Sequence, residues 1–284
     1  MQRALVAGAT GYLGRHLAGE LKRRRVWVRA LVRHPWQRAF FQASADEVFL
    51  GQITDPSSLK GVADGVDTVF STIGITRQKD GLTYEDVDYR GNLNLLNEAA
   101  NSGVRNFLYV SLFHAQHLRE IRLVAAKERF VDALHASSLN SCVIRPTGFF
   151  SDMADILAMA RKGLIVLIGD GQNRLNPISG HDLAIVCIDA VAARRTDVEA
   201  GGPRIYTFNE IASHAFSALK KPARIFHLPG WTAKAATTVL RAFTPIQIYG
   251  PFELFLTTAI QEMVAPCYGS DRLEDFFRHE AQAL

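Results

Sequence analysis

The 284-residue sequence predicts an α/β fold: a doubly wound parallel sheet with helices on its faces and a small C-terminal cap. Three observations predict it. Apolar β-type runs alternate with helical patterns through the first half, as in parallel strands joined by crossover helices. Those runs are apolar throughout, as in Phe107-Leu-Tyr-Val110, which suits strands covered on both faces. A glycine-rich turn joins the first strand to the first helix.

Strands are expected at Ala4–Ala7, Val26–Val32, Glu47–Leu50, Thr68–Ser71, Phe107–Ser111 and Ser141–Ile144. Helices fall between them near Tyr12–Arg24, Pro35–Ala43, Tyr84–Ser102 and Leu118–Ser137. The first helix carries Leu13, Leu17 and Leu21 on one face and closes with Lys22-Arg23-Arg24-Arg25, where positive charge suits the helix dipole. That basic run reads as a solvated helix end. Beyond Arg145-Pro146 the pattern loosens. A helix near Asp152–Arg161, a strand at Leu164–Ile168, a helix from His181, a strand at Arg204–Phe208, a helix at Glu210–Leu219 and a strand at Ala223–Leu228 follow. Two helices close the chain, the second entered through Gly250-Pro251. With no repeat or long linker, the chain reads as a single domain over 1–284, its core at about 1–145 and its cap at about 146–284.

Composition narrows the function classes. Hydrophobic residues make up 48% and charged residues 21%, enough to build a core and too apolar for a disordered tail. A formal charge of +4 suits an anionic ligand and is too mild to argue for nucleic acid. Cys142, Cys187 and Cys267 are widely spaced and odd in number, so neither a disulfide framework nor a zinc knuckle is expected. Cys142 and Cys187 sit in apolar runs and read as buried thiols. Strand character begins by Arg3, so no signal peptide is expected, and no run of about 18 apolar residues suggests a spanning helix. Cytoplasm is the expected compartment.

The decisive segment is Gly8-Ala9-Thr10-Gly11-Tyr12-Leu13-Gly14. Glycines permit a tight turn and close backbone approach to a pyrophosphate, and the helix start adds N–H groups and a favourable dipole. Strand before and helix after make this a Rossmann-type dinucleotide site. A site for NAD usually ends its second strand on Asp or Glu, about 20 residues beyond the turn, to hold the ribose hydroxyls. Here Leu31-Val32-Arg33 ends it, with His34 and Arg38 following. A guanidinium can grip a 2′-phosphate with paired hydrogen bonds, so NADP(H) is expected over NAD(H).

Together these segments resemble the short-chain dehydrogenase/reductase superfamily, in its atypical NmrA-like branch with isoflavone-reductase-like and divinyl-chlorophyllide-reductase-like members. GATGYLG at Gly8–Gly14 is similar to the branch's phosphate turn. Gly51-Gln-Ile-Thr-Asp55 resembles its third-strand segment, which implies adenine contacts for Gln52 and Ile53, although Gln52 stands where aspartate is usual. Ser71-Thr72-Ile73-Gly74 resembles the fourth-strand end lining the adenosine and nicotinamide ribose. Cys142-Val-Ile-Arg-Pro-Thr-Gly-Phe-Phe150 resembles the sixth strand and nicotinamide loop, which implies cofactor contacts for Pro146, Gly148 and Phe149.

The superfamily's catalytic unit is Tyr-x-x-x-Lys on a helix, with a serine or threonine ending the preceding strand. Its lysine is matched by Lys127, but Leu123 stands in place of the tyrosine. Leu123, Lys127, Phe130, Val131 and Leu134 form one helical stripe, and Glu128, Asp132 and His135 mark another side. A lysine in an apolar stripe needs a partner or an anionic ligand, so Lys127 is expected to hold the cofactor ribose. Ser111 matches the family serine and is the second candidate catalytic residue. His114 is a further candidate acid; its spacing with His117, without other ligands, does not make a metal site, and no metal is expected. Asp88 stands where many relatives carry a structural asparagine, and Arg77 and Lys79 follow the fourth strand, where they could meet an anionic substrate.

Phe149, Phe150, Met153, Ile156 and Leu157 form either core or one wall of an apolar pocket. The closing helices hold Trp231, Val239, Phe243, Phe252, Leu256, Ala259, Ile260 and Met263. Phe252, Leu256, Ala259 and Met263 share a stripe suited to packing, with a shallow membrane contact or substrate mouth as alternatives. Two functions stay open. One is an NADP(H)-dependent reductase of a small apolar carbonyl, quinone or activated alkene, working without the usual tyrosine. The other is a non-catalytic NADP(H)-binding sensor, regulator or assembly factor. A monomer or a homodimer is expected.

Overall fold

The computed structural model describes residues 1–75, 81–232 and 253–282. It forms two compact units: Met1–Arg145 with Leu183–Val198, and Pro146–Asp182 with Glu199–Leu284. The stretch 183–198, which the sequence reading assigns to the cap, therefore packs with the first unit.

The first unit is built on strands β1 (Arg3–Ala7), β2 (Trp27–Val32), β3 (Glu47–Leu50), β4 (Thr68–Ser71), β5 (Asn106–Val110), β6 (Asn140–Pro146) and β9 (Asp197–Ala200). Their order in the sheet is β3-β2-β1-β4-β5-β6-β9, and the pairs from β3 through β6 are all parallel. The doubly wound expectation holds. Strand order reverses between β1 and β4, the crevice where such sheets bind ligands beyond their carboxyl ends. Helices α1 (Tyr12–Arg23), α2 (Asn92–Asn101), α3 (Arg122–His135) and α5 (Gly180–Ala192) complete the wound layers. Phe130 of α3 packs its ring 5.9 Å from Phe107 and 4.7 Å from Tyr109, both on β5. These residues belong to one buried cluster with Leu5, Val69 and Val143, so the apolar strand faces and the α3 stripe find each other as their periods require.

Several elements differ from expectation. The segment after β2 is a 3₁₀ turn, Pro35–Phe41, because Gln37 turns inward and accepts from the backbone N–H groups of Arg33 and His34. The long helix at Tyr84–Ser102 begins as a π-helical stretch, Glu85–Gly91, before α2. The basic run is more than a solvated end: Arg23 and Arg24 clasp the buried Glu20, and Arg24 also bridges to Asp189. The arginine hydrogen bonds hold the Glu20 carboxyl down to about 2. Strand β9 has no counterpart in the sequence reading.

The second unit carries α4 (Phe150–Arg161), β7 (Ile165–Ile168), β8 (Arg174–Leu175), β10 (Tyr206–Thr207), α6 (Phe208–Ala218), β11 (Ile225–Leu228) and α7 (Leu273–Gln282), with 253–258 also helical. β8 pairs antiparallel with β10, and β7 pairs parallel with β11. Phe150, Met153, Ile156 and Leu157 are buried, which makes them core. Leu256, Ala259 and Met263 are buried as well, so the described part of that stripe packs inward. Val239, Phe243, Phe252, Gly250 and Pro251 lie outside the described residues. No helix among the described residues is long and apolar enough to cross a membrane.

Candidate functional site

The glycine turn lies between β1 and α1, at the switch point. Gly8 has φ of 80°, a left-handed conformation that favours glycine, and a Cβ there would also lie 2.6 Å from Thr72 Oγ1. Gly14 packs against the turn itself, where a Cβ would overlap the Gly8 carbonyl. No side chain caps α1 at Gly11, and its first turn holds no acidic residue. The start of α1 thus presents backbone without a side-chain cap. Leu13 is buried as the first core residue of α1, so its contribution to a phosphate site would be its backbone.

The end of β4 seals the other side of this turn. Thr72 bonds through its N–H to Ala7 O and through its hydroxyl to the carbonyls of Ala7 and Gly8. Ser71 is fully buried, and its hydroxyl donates to Asn92 Oδ1 at 2.6 Å; Ile73 is half-buried against the core. Ser71 therefore fixes the strand end from beneath. Gly74 lies over a buried ion pair, for a Cβ at Gly74 would come within 2.5 Å of Lys127 Nζ and 2.8 Å of Asp88 Oδ1.

That pair is the charged centre of the first unit. Lys127 Nζ lies 2.9 Å from Asp88 Oδ1 and donates to the Tyr109 hydroxyl at 3.3 Å. Asp88 is fully buried; its Oδ2 accepts from Ile75 N, while Oδ1 has no hydrogen bond and relies on the ion pair. Burial works against a charge on Lys127, but the Asp88 carboxylate outweighs it and holds the ammonium above its ordinary pKa. Burial also pushes the Asp88 carboxyl up, so the pair rests on its mutual attraction against desolvation of both partners. Burial pushes the Tyr109 phenol up to about 12, so this tyrosine is a poorer acid than a free one and does not replace the tyrosine missing at Leu123.

Ser111 belongs to a second network. Its hydroxyl lies 2.7 Å from Glu128 Oε1, and Arg145 grips the same carboxylate through both terminal nitrogens, at 2.8 and 3.1 Å. Arg145 reaches Asp197 through Nε. A carboxylate only accepts and a guanidinium only donates, so the Ser111 proton points at Glu128. Glu128, placed by the sequence reading on a side away from the apolar stripe, is buried; a partner from β6 makes that tolerable. Lys127 and Glu128, consecutive on α3, thus serve two separate networks.

Arg33 is exposed at the end of β2, with its backbone fixed by Gln37, and His34 stacks 6.0 Å from Trp36. Gln52 is half-buried, its backbone tied to Ser58, whereas the Ile53 side chain is buried in the core cluster. His114 adopts the left-handed conformation, with φ of 57°, and stacks 3.8 Å from Phe113. Pro146, Gly148 and Phe149 belong to the second unit. Arg77 and Lys79 lie outside the described residues. Among the described residues, His181, Asp182 and Asp271 gather potential metal ligands, yet Asp182 accepts from the N–H groups of Ser270 and Asp271, and Ser179 donates to Asp271. Those bonds account for the cluster as a loop anchor. The first unit brings the glycine turn, Thr72, Gly74 and Lys127 together, and adds Asp88, Tyr109, Glu128 and Arg145. A polar tip in a strand buried on both faces, as at Tyr109, was the available signal for part of this set.

The family described as NAD(P)H-binding matches residues 8–194. The chain is 28% identical to divinyl chlorophyllide a 8-vinyl-reductase, chloroplastic, from Oryza sativa subsp. indica, over 96% of this chain and 77% of that protein. It is 24% identical to photosystem II assembly factor Ycf39 of Synechocystis, over 85% of this chain and 74% of that one. Among solved structures, the NADPH complex of the NADPH-dependent quinone oxidoreductase QOR2 from Escherichia coli has the same fold, with a TM-score of 0.74, 18% identity, and coverage of 98% of this chain and 99% of that chain. A glycine turn at the sheet's switch point, a half-buried lysine under Gly74 and these matches make the chain a member of the NAD(P)H-binding family, in the atypical short-chain dehydrogenase/reductase branch.

Proposed function

We propose that the protein is an NADP(H)-dependent reductase of a small apolar, electron-poor acceptor, a quinone or activated alkene before a simple carbonyl. The observation that carries this reading is the Lys127–Asp88 pair beneath Gly74, one strand end from the glycine turn. In this reading the backbone from Gly8 to Gly14, with Thr10, Gly11 and Tyr12, receives the diphosphate. Arg33 takes the 2′-phosphate, and Lys127 holds the nicotinamide ribose. Gln52 borders the adenine. Bound there, the nicotinamide would supply a hydride.

The chain's own residues restrict what can receive it. A ketone gathers negative charge on oxygen as it is reduced and needs a donor there. Leu123 has no proton to give, and Ser111 already directs its own to Glu128. Acceptors that stabilise charge by conjugation need such donors least. The rice relative is named for reducing a vinyl group and the bacterial structure for reducing quinones, which supports this order.

The test is loss of nicotinamide absorbance when the purified protein meets NADPH with a benzoquinone, a conjugated enone or an unactivated ketone. Turnover with the first two and little with the third is expected. Nucleotide binding without consumption by any of them would instead favour a binding protein, the reading supported by Leu123, the committed Ser111 hydroxyl and the resemblance to an assembly factor. Phosphate selection is tested separately. Arg33→Asp removes charge-assisted hydrogen bonds and adds repulsion, so NADPH should bind roughly 30- to 100-fold more weakly while NADH changes little. Equal losses in calorimetric titrations would reject the phosphate assignment.

A further inference from the structure

One sheet in the second unit turns an apolar, solvent-exposed face outward. β7 and β11 run in parallel register, with Ile165 beside Ile225, Val166 beside Phe226, Leu167 beside His227 and Ile168 beside Leu228. Ile165 and Leu167 are buried, so the pleat turns Val166, Ile168, Phe226 and Leu228 to the opposite side, with Leu164 in line before β7. On that side Leu164 is 48% exposed, Val166 37% and Phe226 55%; beyond the strand, three residues past β11, Trp231 is 71% exposed. A solvated sheet face ordinarily carries polar side chains. This one carries none along the paired strands.

The end of the same sheet gathers positive charge. α4 ends at Arg161 and is followed by Lys162, and α6 ends at Ala218 and is followed by Lys220 and Lys221. Lys221 Nζ donates to Arg161 O, which ties the two helix ends together. Arg224 stands directly before β11, and Lys162, Lys220, Lys221 and Arg224 are all exposed. Helix dipoles account for cations after α4 and α6, though not for Arg224, which enters a strand. The sequence contains no Asp or Glu between Asp155 and Asp170, and none between Glu210 and Glu253. No carboxylate from the strands or their approaches offsets the rim.

Exposed aliphatic and aromatic side chains flanked by lysine and arginine are the requirements for entering a headgroup layer while meeting its phosphates. A second copy laid on this face would bring no negative charge from these segments to pair with the rim. We propose that this face docks the protein on a bilayer bearing anionic phospholipids, with Val166, Phe226 and Trp231 inserting and Lys162, Lys220, Lys221 and Arg224 contacting headgroup phosphates.

Flotation of the full chain with vesicles of phosphatidylcholine containing about 30 mol% phosphatidylglycerol, beside pure phosphatidylcholine, tests it. Partitioning at least about tenfold stronger to the anionic vesicles, and weakened by salt, is expected. Phe226→Asp should lower it about tenfold, as should Lys220→Glu combined with Arg224→Glu, both with unchanged thermal midpoints and NADPH affinity. Three outcomes overturn the proposal: no binding to either vesicle, equal binding to both, or binding indifferent to the two variants. Concentration-dependent dimerisation that Phe226→Asp abolishes, without vesicle binding, would assign the face to self-association and overturn it too.

Discussion

Lys127→Met is expected to lower the folding stability by about 3–5 kcal/mol, because it leaves the Asp88 carboxylate buried without its counter-charge. Asp88 Oδ1 has no hydrogen bond to fall back on. The single substitution therefore confounds two effects, loss of fold and loss of a ribose contact. The double variant Lys127→Met, Asp88→Asn separates them. A neutral amide of nearly the same size keeps an acceptor for the Ile75 N–H and leaves no naked charge, so most of the stability should return. If Lys127 holds the cofactor, NADPH affinity and hydride consumption stay depressed in the double variant, by about tenfold or more for the lost charged contact. Denaturant midpoints and calorimetry on the three proteins decide the matter. A double variant that is stable and binds NADPH as well as the parent would reduce Lys127 to a structural element.

The second large effect concerns Gly14. A methyl group there would overlap the Gly8 carbonyl and lie 2.8 Å from Ala9 Cα, and both neighbours are backbone that cannot rotate away. Gly14→Ala must therefore push α1 off the turn. We expect NADPH affinity to fall by about 100-fold or more, since a displaced helix start misplaces its amides at the diphosphate. Gly19→Ala, in the same helix, is the matched control. Its added methyl meets nothing within 4 Å. A helical glycine replaced without clash gains about 0.4–1 kcal/mol, so this variant should melt slightly higher and bind as before. Equal NADPH affinity in the two variants would remove the glycine turn from the site.

Sequence patterns carried the architecture because a parallel sheet writes its strands as unbroken apolar runs. Ala4–Ala7 and the β5 run were legible on that ground alone. β9, Asp-Val-Glu-Ala, was not: it is an edge strand whose alternate residues face outward, and half of its letters are charged. The 3₁₀ turn at Pro35–Phe41 was hidden for another reason, since its shape follows from Gln37 folding back onto two main-chain N–H groups. The tight turn at Gly8 and Gly14 could be read directly from its glycines, because backbone conformation and close packing there are local matters. Glu128, on α3, could not be read as buried, because its burial depends on Arg145 from strand β6. A helical wheel sees one surface at a time and knows nothing of the neighbour that neutralises a charge. Asp88 was visible only as a departure from the family pattern; its pairing with Lys127 needed the fold.

The return of Leu183–Val198 to the first unit has a consequence for how the molecule is made. On the ribosome, all the strands through β6 can emerge and pair while the sheet's last edge still stands open beside them. Val143 gains its partner carbonyl from Thr196, and Arg145 its second carboxylate from Asp197, only after the intervening stretch has been synthesised. Late closure of this kind exposes a bare strand to passing chains for about 3 to 10 seconds at ordinary translation rates. Nascent protein is then vulnerable in a way the finished one is not.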